Sequence, residues 1–283
     1  MSDDVEADIK KRQVNVIKYF AFLRSNSNAP IDIKIKVLQA CIVTSILHNA
    51  ETWADVNVER LEVIYRRMLK AIVGVRLTTC SELLYVELDV VSIKTQILMK
   101  QWTFWKKVQE LEDENPLRYV IKLAKQQNLK EVNHYEKLIT MFQSTEEIKN
   151  KFVEENKENI RRKAEKGQSK YTTYLQINPT LEKPKILDCI NRHSDVALIA
   201  GLRMSAHNLQ VEMGRRTRTP REDRKCICGD IEDEEHFILQ CNLYKDIRDE
   251  HRIDKNTNIV RILDDESSMN YLKKLYERRK EMV

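Results

Sequence analysis

Three of the six cysteines fall inside one window, CICGDIEDEEHFILQC at 226–241, with a histidine between them. Thiolate and imidazole are ligand types that suit zinc. Cys226, Cys228, His236 and Cys241 make a complete tetrahedral set of three sulfurs and one nitrogen. Such a set is closed. It leaves no position for a water molecule, so the chemistry it implies is structural, not hydrolytic. Gly229 suits a tight turn wrapping backbone amides toward metal-bound sulfur. A single residue separates Cys226 from Cys228, where a two-residue gap is the commoner zinc turn. His236 and Cys241 are five apart in HFILQCNLYKDIR, which reads as helix, so both reach one ion only if that helix starts or distorts at the site. His251 is the substitute ligand should a thiol fall short, and otherwise a solvated side chain. The competing reading is that the cysteines only pack in a core. A bound ion would contribute ~10 kcal/mol to folding this small module, and removing Cys241 should then unfold it.

The acidic residues of the window, Asp230, Glu232, Asp233, Glu234 and Glu235, read as a solvated turn, since paired acid/base carboxylates need a cleft and opposed environments. Immediately upstream, RMSAHNLQVEMGRRTRTPREDRK at 203–225 sets seven basic residues against three acidic ones. All but one of the basic residues are arginine, whose planar fork bonds phosphate in bidentate fashion. The expected nucleic-acid contacts are Arg215, Arg216, Arg218, Arg221, Arg224 and Lys225. The alternative is a solvated loop whose charges pair among themselves. Trp102 and Trp105 beside Lys106 and Lys107 have the makings of a stacking platform. Their sharing of a helical face with Leu98 points instead to core packing.

The elements that must position these residues read as helices. Only five glycines and five prolines punctuate 283 residues, and a third of the chain is charged with a net of +5. Scarce turn residues argue against a sheet-rich fold. The near-balance of charge permits a nucleic-acid partner without requiring one. Helices are expected over about 7–24, 31–47 and a third ending at Gly74. A capping box of Thr79 with Glu82 opens a short helix to Leu88, and another helix runs from Ser92 toward Leu111. Beyond Asn115-Pro116 weaker helices lead to Ser144 and Glu147, a second capping pattern that opens a highly charged helix. The expected organisation is a helical bundle at 1–143, a charged helical linker at 144–184, and at 185–283 a basic segment, a small α-rich Cys/His module and a terminal helix. Cys41, Cys80 and Cys189 lack neighbours at ligand spacing and are expected to be small buried residues. The charged start and the absence of a long apolar run imply an intracellular protein, nuclear in preference to cytoplasmic, with no membrane partner.

Three stretches together resemble one family. KIKVLQACIVTSILHNAETW, then LEVIYRRMLKAIVGVRLTT with ELLYVELDV, resembles the segment after the catalytic palm in reverse transcriptases of non-LTR (LINE-like) retrotransposons. RMSAHNLQVEMGRRTRTPREDRKCICGDIEDEEHFILQCNLYKDIR resembles the zinc module near the C-terminus of the same polyproteins, and Asp8-Ile9-Lys10-Lys11-Arg12 resembles the entry to the post-palm helices. The resemblance implies a thumb-like bundle and a module that binds RNA or DNA, with Cys226, Cys228, His236 and Cys241 as ligands of a structural zinc ion. It also implies no polymerase activity in this chain. The family's palm aspartates follow an aromatic residue in a hairpin, whereas Asp3-Asp4 and Asp264-Asp265 do not. The tail after Cys241 is too short for a nuclease. The expectation is a non-catalytic, sequence-tolerant RNA- or DNA-binding fragment or derivative. Its rivals are a protein-interaction or self-association module using an exposed thumb surface, and a remnant without selected function.

Overall fold

The computed structural model describes Ala7, residues 14–53 and residues 57–282. Among these the protein is all-α, 71% helix with no strand, and its isolated extended pairing joins Lys225 to Ile231. This is the mainly α class that the composition implied. No described helix is long and apolar enough to cross a membrane. The stretch Asp8–Arg12 and the first turns of the first expected helix lie outside the described residues.

The principal helices of the first half are α1 Val14–Ser25, α2 Ile31–Val37, α3 Glu59–Val73, α4 Ser81–Leu88, α5 Ile93–Gln109, α6 Pro116–Gln126 and α7 Lys130–Met141. The second half carries α8 Thr145–Glu165, α9 Ser169–Ile177, α10 His193–Arg203, α11 Gln210–Thr217, α12 Ile259–Asp264 and α13 Met269–Met282.

Helix ends follow local chemistry. Ser92 Oγ accepts from the Thr95 amide at 3.1 Å, and Asn115 Oδ1 from the Leu117 amide at 3.0 Å with Pro116 in the first turn. Ser144 Oγ accepts from the Glu147 amide at 3.1 Å while Glu147 Oε2 reaches back to the Gln143 amide at 2.6 Å. At the C-terminus of α3, Gly74 has φ +70° and the Val75 amide bonds Lys70 O at 3.1 Å, a Schellman closure. A Cβ on Gly74 would sit 2.8 Å from Ala197 Cβ, so glycine is required there on two counts.

Two local expectations are corrected. Thr79 does not cap α4: its own amide closes a turn on Arg76 O at 3.0 Å, one residue too early, and its buried hydroxyl makes no hydrogen bond. The expected helix 31–47 is not uniform. It widens into a π-helix over Leu38–Val43 before a final α turn, Thr44–Ile46. The Thr44 hydroxyl joins its own amide on Gln39 O, at 2.9 Å for the hydroxyl, a back-bond that favours the wider turn.

The chain forms two compact units: Met1–Asn26, Lys34–Leu69 and Asp89–Asn159 in one, Ser27–Ile33, Lys70–Leu88 and Ile160–Val283 in the other. In the first, Trp105 is 2% exposed and stacks on Tyr135 at 4.9 Å, backed by Val132. Trp102 rests on Leu138, Phe142 and Ile148 and donates its Nε1–H to Phe142 O at 2.9 Å. Both tryptophans are packing residues, as their helical spacing implied. α6 leaves Tyr119 and Val120 more than half exposed, at 62% and 57%.

The second unit is organised around a buried carboxylate. Glu87 on α4 accepts from Arg203 Nε at 2.8 Å and Nη2 at 3.0 Å, and from the Tyr174 hydroxyl at 2.8 Å. Arg203 Nη1 also donates to Leu263 O at 3.2 Å, so one ion pair joins α4, α9, α10 and α12. Arg203 thus leaves the basic surface suggested by its sequence neighbourhood. Cys41 and Cys189 are exposed and Cys80 half-buried, contrary to the core role expected of them. The Cys189 thiol donates back to Lys185 O at 3.5 Å.

Candidate metal centre

The metal-ligand window folds as a turn followed by a distorted helix. The Cys226 amide donates to Asp230 O at 2.7 Å, the Gly229 amide to Cys226 O at 2.9 Å and the Glu232 amide to Arg224 O at 2.9 Å. Gly229 has φ +101°, a backbone region closed to residues with a Cβ. This turn carries two of the sulfurs. The other two ligands bracket the π-helix His236–Gln240: His236 opens it and Cys241 caps its C-terminus, its amide bonding His236 O at 2.8 Å. In an α-helix five residues apart means about 140° apart around the axis. A π turn hydrogen-bonds i to i+5, so the two residues stack on one side. The five-residue spacing that demanded a distorted helix receives one. Asp233 fixes its start, taking the His236 amide on Oδ1 at 3.0 Å.

Four ligand atoms, one each from Cys226, Cys228, His236 and Cys241, all lie within 4.8 Å of one another. Cys226 and Cys241 Sγ are 3.7 Å apart, and Cys228 Sγ lies 3.3 Å from His236 Nε2. A tetrahedral ion with bonds of ~2.3 Å to sulfur and ~2.0–2.1 Å to nitrogen would require edges of about 3.8 and 3.6 Å. The group could therefore hold a metal ion, and the one-residue gap does not prevent it. Cys226, His236 and Cys241 are buried and Cys228 half-buried. Phe237 follows His236 into the core, edge-on to Tyr244 at 5.3 Å and Tyr276 at 5.0 Å. Burial first, then the neighbouring Cys226 sulfur, push the Cys241 thiol up to about 12. A cation among the sulfurs would reverse that penalty. His251 is not part of the group. It is half-buried against the Tyr271 ring at 5.5 Å and is not the solvated side chain expected.

The acidic run is also not a solvated turn. Glu232 and Glu234 are 3% and 4% exposed, while Glu235 faces solvent. Glu232 takes Arg279 in a fork, at 2.6 and 2.8 Å, together with the Gln210 amide at 2.7 Å. Glu234 Oε1 accepts from the Ser205 hydroxyl at 2.9 Å and lies 2.9 Å from His207 Nε2. Every second carboxylate therefore ties the metal loop to α13 or to the segment after α10. Burial pushes the Glu234 carboxyl up, but His207 and Ser205 hold it down at about 2.

The expected nucleic-acid contacts divide. Arg224 turns inward over Gly214, donating to Thr219 O at 2.9 and 2.7 Å and to Val211 O at 3.2 Å. Arg215 is engaged by the buried Glu212, which also holds Lys170 at 3.0 Å. Arg221 is exposed and pairs with Asp233 at 3.1 Å. Arg216, Arg218 and Lys225 are exposed. Arg218 stands at the left-handed C-terminal position of α11, φ +59°, where glycine is usual. Arg76 lies in the same electrostatic field: burial, then the charge of Arg216, lower its pKa. Arg76 itself is half-buried and donates to Asn208 Oδ1.

Comparison with protein-family models, curated proteins and solved structures finds no match in any of the three. The site is interpreted from its own chemistry.

Proposed function

We propose that the unit containing this centre is a zinc-stapled, non-catalytic module that binds RNA or DNA through its exposed basic residues. It would derive from the C-terminal region of a non-LTR retrotransposon reverse transcriptase. Zinc suits a set of three thiolates and one imidazole with no open position, and its role would be to fold the loop, not to activate water. The reduced thiols of such a site fit an intracellular setting, and a nucleic-acid partner favours the nucleus.

The observation that carries the binding reading is the exposure of Arg216, Arg218 and Lys225 in the segment that leads into the metal loop. Arg218 is exposed at a left-handed backbone position, φ +59°, that costs roughly 1 kcal/mol relative to glycine. Arg224 and Arg215 act within the fold, Arg224 by holding carbonyls and Arg215 by pairing with Glu212.

Fluorescence anisotropy of a generic single-stranded RNA, titrated across salt, tests the proposal. Changing Arg216, Arg218 and Lys225 together to glutamine should weaken binding and flatten the slope of log affinity on log salt by about 2, at ~0.7 per lost phosphate contact on a single strand. Equal affinity and slope for the two proteins would remove the assignment.

A further inference from the structure

The first unit contains an open groove of about 1060 Å³ unrelated to the metal centre. Its floor is mainly apolar, drawn from Ala40, Val43 and Leu47 on one side and Val91, Met99 and Phe104 on the other. Lys36, Lys100, Lys107 and Lys149 stand along it, against the acids Glu51 and Asp89. Lys100 approaches Glu51 at 3.7 Å, so the remaining balance on the rim is positive.

Two features of this groove decide its occupant. Small-molecule pockets run to about 1,000 Å³ and enclose their ligands, whereas this groove is as large and lies open. A phosphate backbone would satisfy the lysines but leave the apolar floor wet, and the groove offers no arginine and a single aromatic ring for bases to stack on. An amphipathic helix with acidic flanks meets both demands, laying an apolar stripe on the floor and carboxylates against the lysines. Met99 adds an adaptable surface of the sort that accepts helical partners.

The π-helix Leu38–Val43 forms one wall, contributing Gln39, Ala40 and Val43 to the lining. π turns are rare and recur at functional sites. This one is fixed in place: Gln39 donates its side-chain amide to the Tyr65 hydroxyl at 2.8 Å while its carbonyl takes the Thr44 hydroxyl at 2.9 Å. Ala40, the smallest side chain lining the groove, is exposed.

We propose that this groove docks an acidic amphipathic helix of a protein partner. The site is separate from the nucleic-acid reading and stands or falls without it.

The test uses the full chain and a fluorescein-labelled probe peptide of about four helical turns, with leucines at i, i+3, i+4, i+7 spacing and glutamates on the flanks. Saturable binding in the range of tens of micromolar or tighter is expected. A peptide with lysine in place of each glutamate should bind at least ~10-fold more weakly. Lys107→Glu with Lys149→Glu turns the rim from a net of +2 to −2. It should cost ~10-fold or more, and the residual binding should no longer weaken as salt rises, because screening then relieves a repulsion. Ala40→Trp, which fills the floor without changing charge, should abolish binding. Circular dichroism melts of both variants check folding, and the charge-reversed variant decides alone if the tryptophan variant is unfolded. Lack of saturation up to ~1 mM, or equal affinity for the two peptides, would overturn the proposal. So would displacement of the probe by single-stranded RNA whose own binding is lost in the charge-reversed variant, since that result assigns the groove to nucleic acid.

Discussion

Replacing Gly214 by alanine sets two effects of opposite sign against each other. Gly214 lies inside α11, where alanine is intrinsically favoured by ~1 kcal/mol. The added Cβ, however, would fall 2.5 Å from Arg224 Cγ and 2.6 Å from its Cδ and Nε. These are mid-chain atoms, and the guanidinium beyond them cannot retreat without leaving Thr219 O and Val211 O. Losing these three hydrogen bonds, two of which share one carbonyl, at ~1 kcal/mol each costs about 3 kcal/mol, which exceeds the propensity gain. Gly214→Ala should therefore destabilise by about 2 kcal/mol, a fall in Tm of roughly 4–8 °C in the metal-loaded chain. In an Arg224→Ala background the clash is gone, and the same change should stabilise by ~1 kcal/mol. Thermal melts of the four proteins form a double-mutant cycle with about 3 kcal/mol of coupling. A higher Tm for the single Gly214→Ala variant, or simple additivity, would refute the inward role given to Arg224.

Glu87→Ala leaves Arg203 buried without its partner and should cost ~3–5 kcal/mol, read as a lower urea midpoint. A loss under ~1 kcal/mol would deny that this pair organises the unit. Burial pushes the Glu82 carboxyl up, but Lys163 bonds and pairs with it and holds it below its usual range. Its stabilisation is therefore present above an ordinary carboxylate pKa of ~4.3 and fades as pH falls through the lower folded value. The Tm gap between wild type and Glu82→Gln should be full at neutral pH and close in acid; a gap unchanged in acid contradicts the pairing. Arg218→Gly should raise stability by ~1 kcal/mol while weakening RNA binding, a split that a merely structural residue would not give.

Much of this was readable from local chemistry. Scarce glycine and proline with helical spacing gave the all-α class, and the caps at Ser92, Asn115 and Ser144 formed as their side chains allow. The four candidate ligands come together as their types and count imply, and the five-residue interval from His236 to Cys241 pointed to a distortion realised as a π turn. What the sequence could not show is pairing over distance. Glu232 looks solvated among its acidic neighbours because Arg279 is 47 residues away, and Arg203 looks like surface because Glu87 is 116 residues away. Thr79 had the right composition for a cap but sits one residue too early in its turn. Local spacing locates candidate ligands, whereas burial of charge is decided by partners that only the fold supplies.

Elemental analysis of the purified chain, beside Cys228→Ala and Cys241→Ala variants, tests the metal centre most directly. One zinc per wild-type chain is expected, with replacement by cobalt(II) giving the intense visible bands of tetrahedral thiolate coordination, and both variants should lose the ion. A chain that purifies without metal and takes up none, or variants that keep a full equivalent, would contradict the assignment of these four side chains to one ion.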